Sequence, residues 1–122
     1  MLTLIIIAIS SYLIGGIPTG YLAVKYKKSV SPLRFGSRNI GASNITALSG
    51  FKYGITVGAF DCLIKGTLPI MICQILEQPT YIQAITAIGC VIGHNWSPYI
   101  KAKGGRGVAT SIGILIAFQM WL

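Results

Sequence analysis

Four apolar runs of near-bilayer length dominate this chain, and a soluble fold of its size has no interior large enough to hide them. Of 122 residues, 53% are hydrophobic and 10% are charged, against about 25% charged in ordinary soluble domains. The runs cover residues 2–24, 53–76, 81–100 and 108–122, and a helix needs about 20 residues to cross a bilayer. The expected fold is therefore all-α, a polytopic membrane helical bundle occupying residues 1–122 as a single membrane domain. The fourth run is shorter than a usual crossing, which leads to the expectation that the chain is the front part of something longer.

Local signals refine these segments. Pro18, flanked by Gly15, Gly16 and Gly20, should bend or break the last turns of the first run. Lys25, Lys27 and Lys28 close it, and the stretch from Ser29 to Lys52 is too rich in Gly, Ser and Asn to be a span. Glu77-Gln78-Pro79 makes a short turn between the second and third runs. No basic n-region precedes the first run, so it is expected to remain in the mature protein rather than act as a cleaved signal.

Charge orients the segments. Only Lys65 of the ten basic residues lies outside two loops, one between the first and second runs and one between the third and fourth. By the positive-inside rule both basic loops are cytoplasmic and the N-terminus is outside. The net charge of +8 thus reports topology, and no nucleic-acid partner is expected. Cys62, Cys73 and Cys90 are odd in number, sit in apolar runs and have no Cys-x-x-Cys spacing. They argue for packing rather than for a disulfide framework or a zinc site, and no metal is expected.

The two basic loops hold the candidate chemistry. In Gly36-Ser37-Arg38-Asn39-Ile40-Gly41-Ala42-Ser43-Asn44, Ser37, Asn39, Ser43 and Asn44 supply neutral donors and acceptors. Gly36 and Gly41 permit unusual backbone angles, and Arg38 offers a guanidinium that grips two phosphate oxygens. The other reading of this stretch is a solvated loop whose Ser and Asn cap the next helix. In Lys101-Ala102-Lys103-Gly104-Gly105-Arg106-Gly107-Val108-Ala109-Thr110, small residues and bases precede an apolar helix, where free amides and the macrodipole favour an anion. This is not a P-loop, because Gly-x4-Gly-Lys-Ser/Thr is absent. A basic surface loop touching anionic lipid heads is its alternative reading.

Three further residues stand out. His94, the one histidine, lies near the end of the third run; it suits a general base or a donor to a phosphate or carbonyl oxygen, and equally a structural cap. Asp61 and Lys65, four residues apart in the second run, share a helix face, and ions at that depth turn inward and pair. They form either a structural ion pair or one that supports a site. Small residues at four-residue spacing, Gly50, Gly54 and Gly58 and then Ala109, Gly113 and Ala117, offer stripes for close helix packing.

Taken together, these residues resemble the acyl-phosphate-dependent glycerol-3-phosphate acyltransferases of bacteria (the PlsY type), in that family's N-terminal portion. Ile14-Gly15-Gly16-Ile17-Pro18-Thr19-Gly20-Tyr21 is similar to the family's first-helix ending, and residues 36–44 are similar to its first motif. Asp61 with Lys65-Gly66 resembles its second-helix pair, and Gly93-His94 followed by residues 103–110 its second motif. The resemblance implies a multi-pass protein of the bacterial inner membrane with about seven spans, of which about four are present here. It implies transfer of a fatty acyl group from acyl phosphate to the sn-1 hydroxyl of glycerol 3-phosphate, giving lysophosphatidic acid and phosphate without any cofactor. Substrates and membrane lipids would be the partners.

Carried over residue by residue, the resemblance makes Ser37, Asn39 and His94 catalytic. The expected substrate-binding residues are Gly41, Ser43, Asn44, Lys103, Gly104, Gly105, Arg106, Gly107 and Thr110, with Arg38, which stands where the family commonly has glycine, added for its guanidinium, and Asp61 and Lys65 in support. Acyl phosphate carries a good leaving group, so no enzyme nucleophile is needed; positioning and oxyanion stabilisation suffice. Two departures stand: Ala47 occupies a position where the family often has arginine, and the third family motif is expected beyond Leu122. The competing reading is a non-catalytic fragment or a phosphate- or phospholipid-binding membrane subunit that needs a C-terminal segment or partner chain. A transporter fits poorly, since the polar groups gather at one surface.

Overall fold

The computed structural model describes residues 1–28 and 30–121, without the side chains of Lys28 and Trp121. Ser29, and Leu122 at the end of the fourth expected span, lie outside the described residues. Every regular element described is helical. Helix α1 (Leu2–Gly15) stops at Gly16 and Pro18, and α2 (Thr19–Lys28) restarts immediately. Proline has no N–H to continue the ladder, and the carbonyl of Pro18 instead accepts from Leu22 N–H at 3.0 Å. The first run is thus broken at Pro18 into two helices, which together form an apolar rod over Leu2–Lys27 long enough to cross a membrane.

A short helix, α3 (Ala42–Ser49), lies inside the stretch expected to be a polar loop. Helix α4 (Phe51–Phe60) passes without interruption into a π-helical segment (Asp61–Thr67) and then α5 (Leu68–Ile75). The combined run Phe51–Ile75 is the second rod of membrane-crossing length. Helix α6 (Thr80–Asn95) ends at Trp96, a short 3-10 turn spans Pro98–Ile100, and α7 covers Val108–Trp121. The expected third span, residues 81–100, is therefore a helix and a separate turn; Pro98 cannot continue the ladder.

The polarity of the molecule is inverted relative to a water-soluble protein. Asp61, Lys65, Thr67, Gln74, Thr86 and His94 are buried, while Ile5, Ile9, Leu63, Ile72, Ile88 and Leu115 face outward. Several of the buried polar groups find internal partners: Gln74 Nε2 donates to Ala117 O at 3.3 Å, and Thr86 Oγ1 to Ile82 O at 2.9 Å. That is the arrangement a hydrocarbon solvent demands.

Small residues set the closest helix contacts. A β-carbon on Gly15 would enter the backbone of Cys90, and one on Gly93 would enter that of Tyr12, so α1 and α6 meet backbone to backbone. The Gly54 and Gly58 stripe faces Ala42 and Thr46 of α3, and Gly113 faces Cys62 in the π segment. Thr67 Oγ1 lies 2.9 Å from Gly113 O and 3.1 Å from Cys62 O, its single proton shared between them. This contact ties the wider π turn, whose internal bonds are displaced by one residue, to α7. Two apolar clusters complete the packing: Val24, Ile45 and Val57 join α2, α3 and α4, and Ile70, Ile114 and Ala117 join α5 to α7.

Candidate functional site

The first glycine-rich loop is organised by Asn44, which is buried in the first turn of α3. Its Oδ1 accepts from Ser37 N–H at 3.0 Å; its Nδ2 lies 2.7 Å from Asn39 O, 3.1 Å from Pro32 O and 3.3 Å from Phe35 O. One amide thus satisfies loop backbone groups that sequence alone leaves unassigned. Asn39 closes the loop further: its Oδ1 accepts from Gly41 N–H at 2.8 Å and its Nδ2 donates to Ser37 Oγ at 3.0 Å. Gly36, at φ 60, has Asn44 Oδ1 where a β-carbon would stand, so both backbone angle and space call for glycine.

The second loop is strapped to the end of α6. Ser97 Oγ donates to Gly16 O, Ser97 N–H to Lys103 O at 2.8 Å, and Gly105 N–H to His94 O at 3.1 Å. The carbonyl of His94, in the last turn of α6 and without a helical partner, is met in this way. Gly104 lies flush on the His94 and Asn95 carbonyls, and Gly105 lies flush on the His94 ring beside Nε2. Gly107, at φ 74, turns the chain into α7.

Beneath both loops lies a buried ionic chain. Lys65 Nζ is 2.7 Å from Asp61 Oδ1 and 3.3 Å from His94 Nδ1, while His94 Nδ1 and Asp61 Oδ1 are 4.0 Å apart. The relative exposures of Asp61, Lys65 and His94 are 1%, 0% and 3%. A buried ammonium has only donors, so Nδ1 accepts from Lys65 and the ring proton belongs on Nε2, the edge facing Gly105. Lys65 already fills the space between the carboxylate and the imidazole. Among the described residues no group of three His, Cys, Asp or Glu side chains stands ready for a metal.

These parts enclose a cavity of about 380 Å³. The first loop contributes Ser37, Asn39, Gly41 and Ser43; the second contributes Arg106 and Gly107; Asp61 and His94 add polar wall. Ala42, Val108, Ala109 and Ile112 complete it with small and apolar surface. Arg106 is the basic side chain at this wall, and the amides opening α7 adjoin it, so the cavity suits an anion attached to an apolar chain.

Other residues picked out by sequence fall elsewhere. Asn44, Gly104 and Gly105 build the loops from behind the lining. Arg38 is exposed, with φ 57, and does not line the cavity. Thr110 is fully buried, and its carbonyl packs against Gly66 of the π segment. Lys65 lies behind Asp61 and His94. Lys103 opens onto a different hollow, shared with Lys25, Arg34 and Lys101. Sequence reasoning missed the contact of His94 with Lys65 across 29 positions, and the lining by Ile112, which sits one helical turn after Val108 and Ala109.

Comparison with known proteins bears on this arrangement. A family model described as glycerol-3-phosphate acyltransferase matches residues 5–122. The glycerol-3-phosphate acyltransferase of Lawsonia intracellularis is 41% identical over 113 residues, 93% of this chain and 57% of that protein. The one from Acholeplasma laidlawii is 41% identical over 128 residues, 98% of this chain and 54% of that protein. The chain thus spans about half the length of the curated relatives it matches. Crystal structures of PlsY (YgiH), an integral membrane glycerol 3-phosphate acyltransferase, superpose with TM-scores of 0.89 for the glycerol 3-phosphate form and 0.85 for the lysophosphatidic acid form. Both are 32% identical and cover 98% of this chain, which spans 59% and 58% of those chains.

Proposed function

This chain belongs to the glycerol-3-phosphate acyltransferase family, and we propose that it acts in moving a fatty acyl group from acyl phosphate to the sn-1 hydroxyl of glycerol 3-phosphate. The product is lysophosphatidic acid, for phospholipid synthesis. The observation that carries this reading is the single cavity lined by both loops, with Arg106 on one side and Ser37 and Asn39 on the other.

Arg106, Gly107 and the opening amides of α7 hold the phosphate of glycerol 3-phosphate, where guanidinium and helix terminus act together. Ser37, Asn39 and Ser43 orient the hydroxyl and the acyl carbonyl. His94, its Nδ1 held by Lys65, presents Nε2–H towards an oxygen. The hydroxyl oxygen attacks the acyl carbon, the carbon–oxygen bond to phosphate breaks, and the hydroxyl proton leaves on inorganic phosphate. Positioning supplies most of the acceleration. On this reading the chain crosses a bacterial inner membrane four times with both loops cytoplasmic and the N-terminus outside, which the gathering of basic residues in the two loops supports.

A second reading, a phosphate-binding membrane subunit completed by a further segment or chain, rests on the share of the relatives' length that this chain spans. Membranes expressing the chain, supplied with radiolabelled glycerol 3-phosphate and either palmitoyl phosphate or palmitoyl-CoA, separate the two. Labelled lysophosphatidic acid from palmitoyl phosphate alone is the expected result. No product from either donor, with the chain inserted and folded, favours the subunit.

A further inference from the structure

Beside the reaction cavity lies a second, larger hollow of about 800 Å³, to which the proposed chemistry assigns nothing. Four bases from three separate segments converge on it: Lys25 of α2, Arg34 of the following turn, and Lys101 and Lys103 of the second loop. No side-chain carboxylate answers them. The chain has two in all; Asp61 is buried against Lys65, and Glu77 lies in the turn at the far end of α6. Like charges gathered around a concavity repel one another, and an anion seated between them relieves that repulsion.

The hollow also has an apolar floor, which a patch serving only to orient the chain does not require. Tyr99, Ile100, Leu33 and Phe35 line it. Tyr99 is fixed there because its hydroxyl donates to Leu13 O, at the end of α1, at 3.1 Å. Lys25 Nζ sits 5.3 Å from the Tyr21 ring centroid, over a second aromatic wall. Position narrows the occupant further. Lys25 closes the apolar part of the Leu2–Lys27 rod, and Tyr99 lies just beyond the end of α6, so the cleft is built where two apolar helices end. Cations over aromatic and aliphatic surface at the ends of apolar helices match a phosphodiester with its glycerol and upper acyl carbons.

We propose that this cleft is a binding site for an anionic phospholipid headgroup, separate from the reaction cavity and joined to it through the 101–107 loop. Lys103 faces the lipid, while Arg106, three residues on, faces the substrate. A resident lipid would therefore hold the half of the loop that leads into the reaction cavity.

The test is native mass spectrometry of the chain released from nanodiscs made of equal parts phosphatidylglycerol and phosphatidylcholine. The expected result is preferential retention of one phosphatidylglycerol. The triple variant Lys25→Gln/Arg34→Gln/Lys101→Gln should lower the phosphatidylglycerol-to-phosphatidylcholine ratio about tenfold. Lys101→Gln alone, on an exposed turn, should lower it by a smaller factor and guards against misfolding of the triple variant, checked by circular dichroism. Lys52→Gln, an exposed base outside the cleft, should leave the ratio unchanged. Equal retention of both lipids, or an equal loss in Lys52→Gln, overturns the proposal. Displacement of the lipid by millimolar inorganic phosphate also overturns it, by making a soluble anion the occupant.

Discussion

Residues 36–44 and residues 101–107 border the same cavity but are held in place by different means. The first loop is wired from within, by the buried amide of Asn44 reaching four backbone groups. The second is moulded from without, its glycines lying on the His94 ring and the last carbonyls of α6. In the first loop, side-chain chemistry sets the backbone and the glycine at position 36 makes room for it. In the second, the absence of side chains lets backbone meet backbone, and the polar work falls on Arg106. Glycine-rich loops of similar composition therefore fail in different ways when mutated.

The largest effect should come from the support that both share. Lys65→Met leaves Asp61 buried without its cation and should cost about 3–5 kcal/mol of stability, read as thermal unfolding in detergent. The double variant Asp61→Asn/Lys65→Met should recover most of that loss. Next, Asn44→Ala strands the loop groups it satisfies and should cost about 2–3 kcal/mol. Hydrogen exchange should rise across residues 35–41 and stay unchanged across 101–107; a rise in both would break the distinction between the loops.

Gly105→Ala is the converse and should be milder, at about 1–3 kcal/mol, because its methyl group must displace the His94 ring. Exchange should then rise in residues 101–107 alone. The smallest effect on stability, within about 0.5 kcal/mol, is expected for exposed Ser37→Ala. There the expected loss is in acyl transfer, about a hundredfold if Ser37 orients the reacting hydroxyl. Full retained activity would remove Ser37 from that role.

Much of this was legible because membrane chemistry writes itself plainly. The break at Pro18, the rods through Leu2–Lys27 and Phe51–Ile75, and the pairing of Asp61 with Lys65 all follow from spacing and hydropathy. What escaped the sequence depends on contacts between distant residues. The π turn at Asp61–Thr67 is tied to Gly113 of another helix through Thr67. His94 meets Lys65 only because α6 packs beside that turn. The α1–α6 contact at Gly15 and Gly93 pairs glycines that no single-helix pattern connects. Within the loops, composition identified phosphate-binding residue types without telling lining from scaffold. Asn44 is one example. Lys103 is another, since the left-handed turn at Lys101 and Ala102 precedes it and it opens away from Arg106.

The central claim, that the two loops form one phosphate-ester site, is tested most directly by equilibrium binding of radiolabelled glycerol 3-phosphate to the purified chain in nanodiscs. Asn39→Ala in the first loop and Arg106→Gln in the second are compared with the unaltered protein. The account predicts saturable binding weakened about tenfold or more by either change. Saturable binding that survives the loss of one loop's residue intact would contradict it.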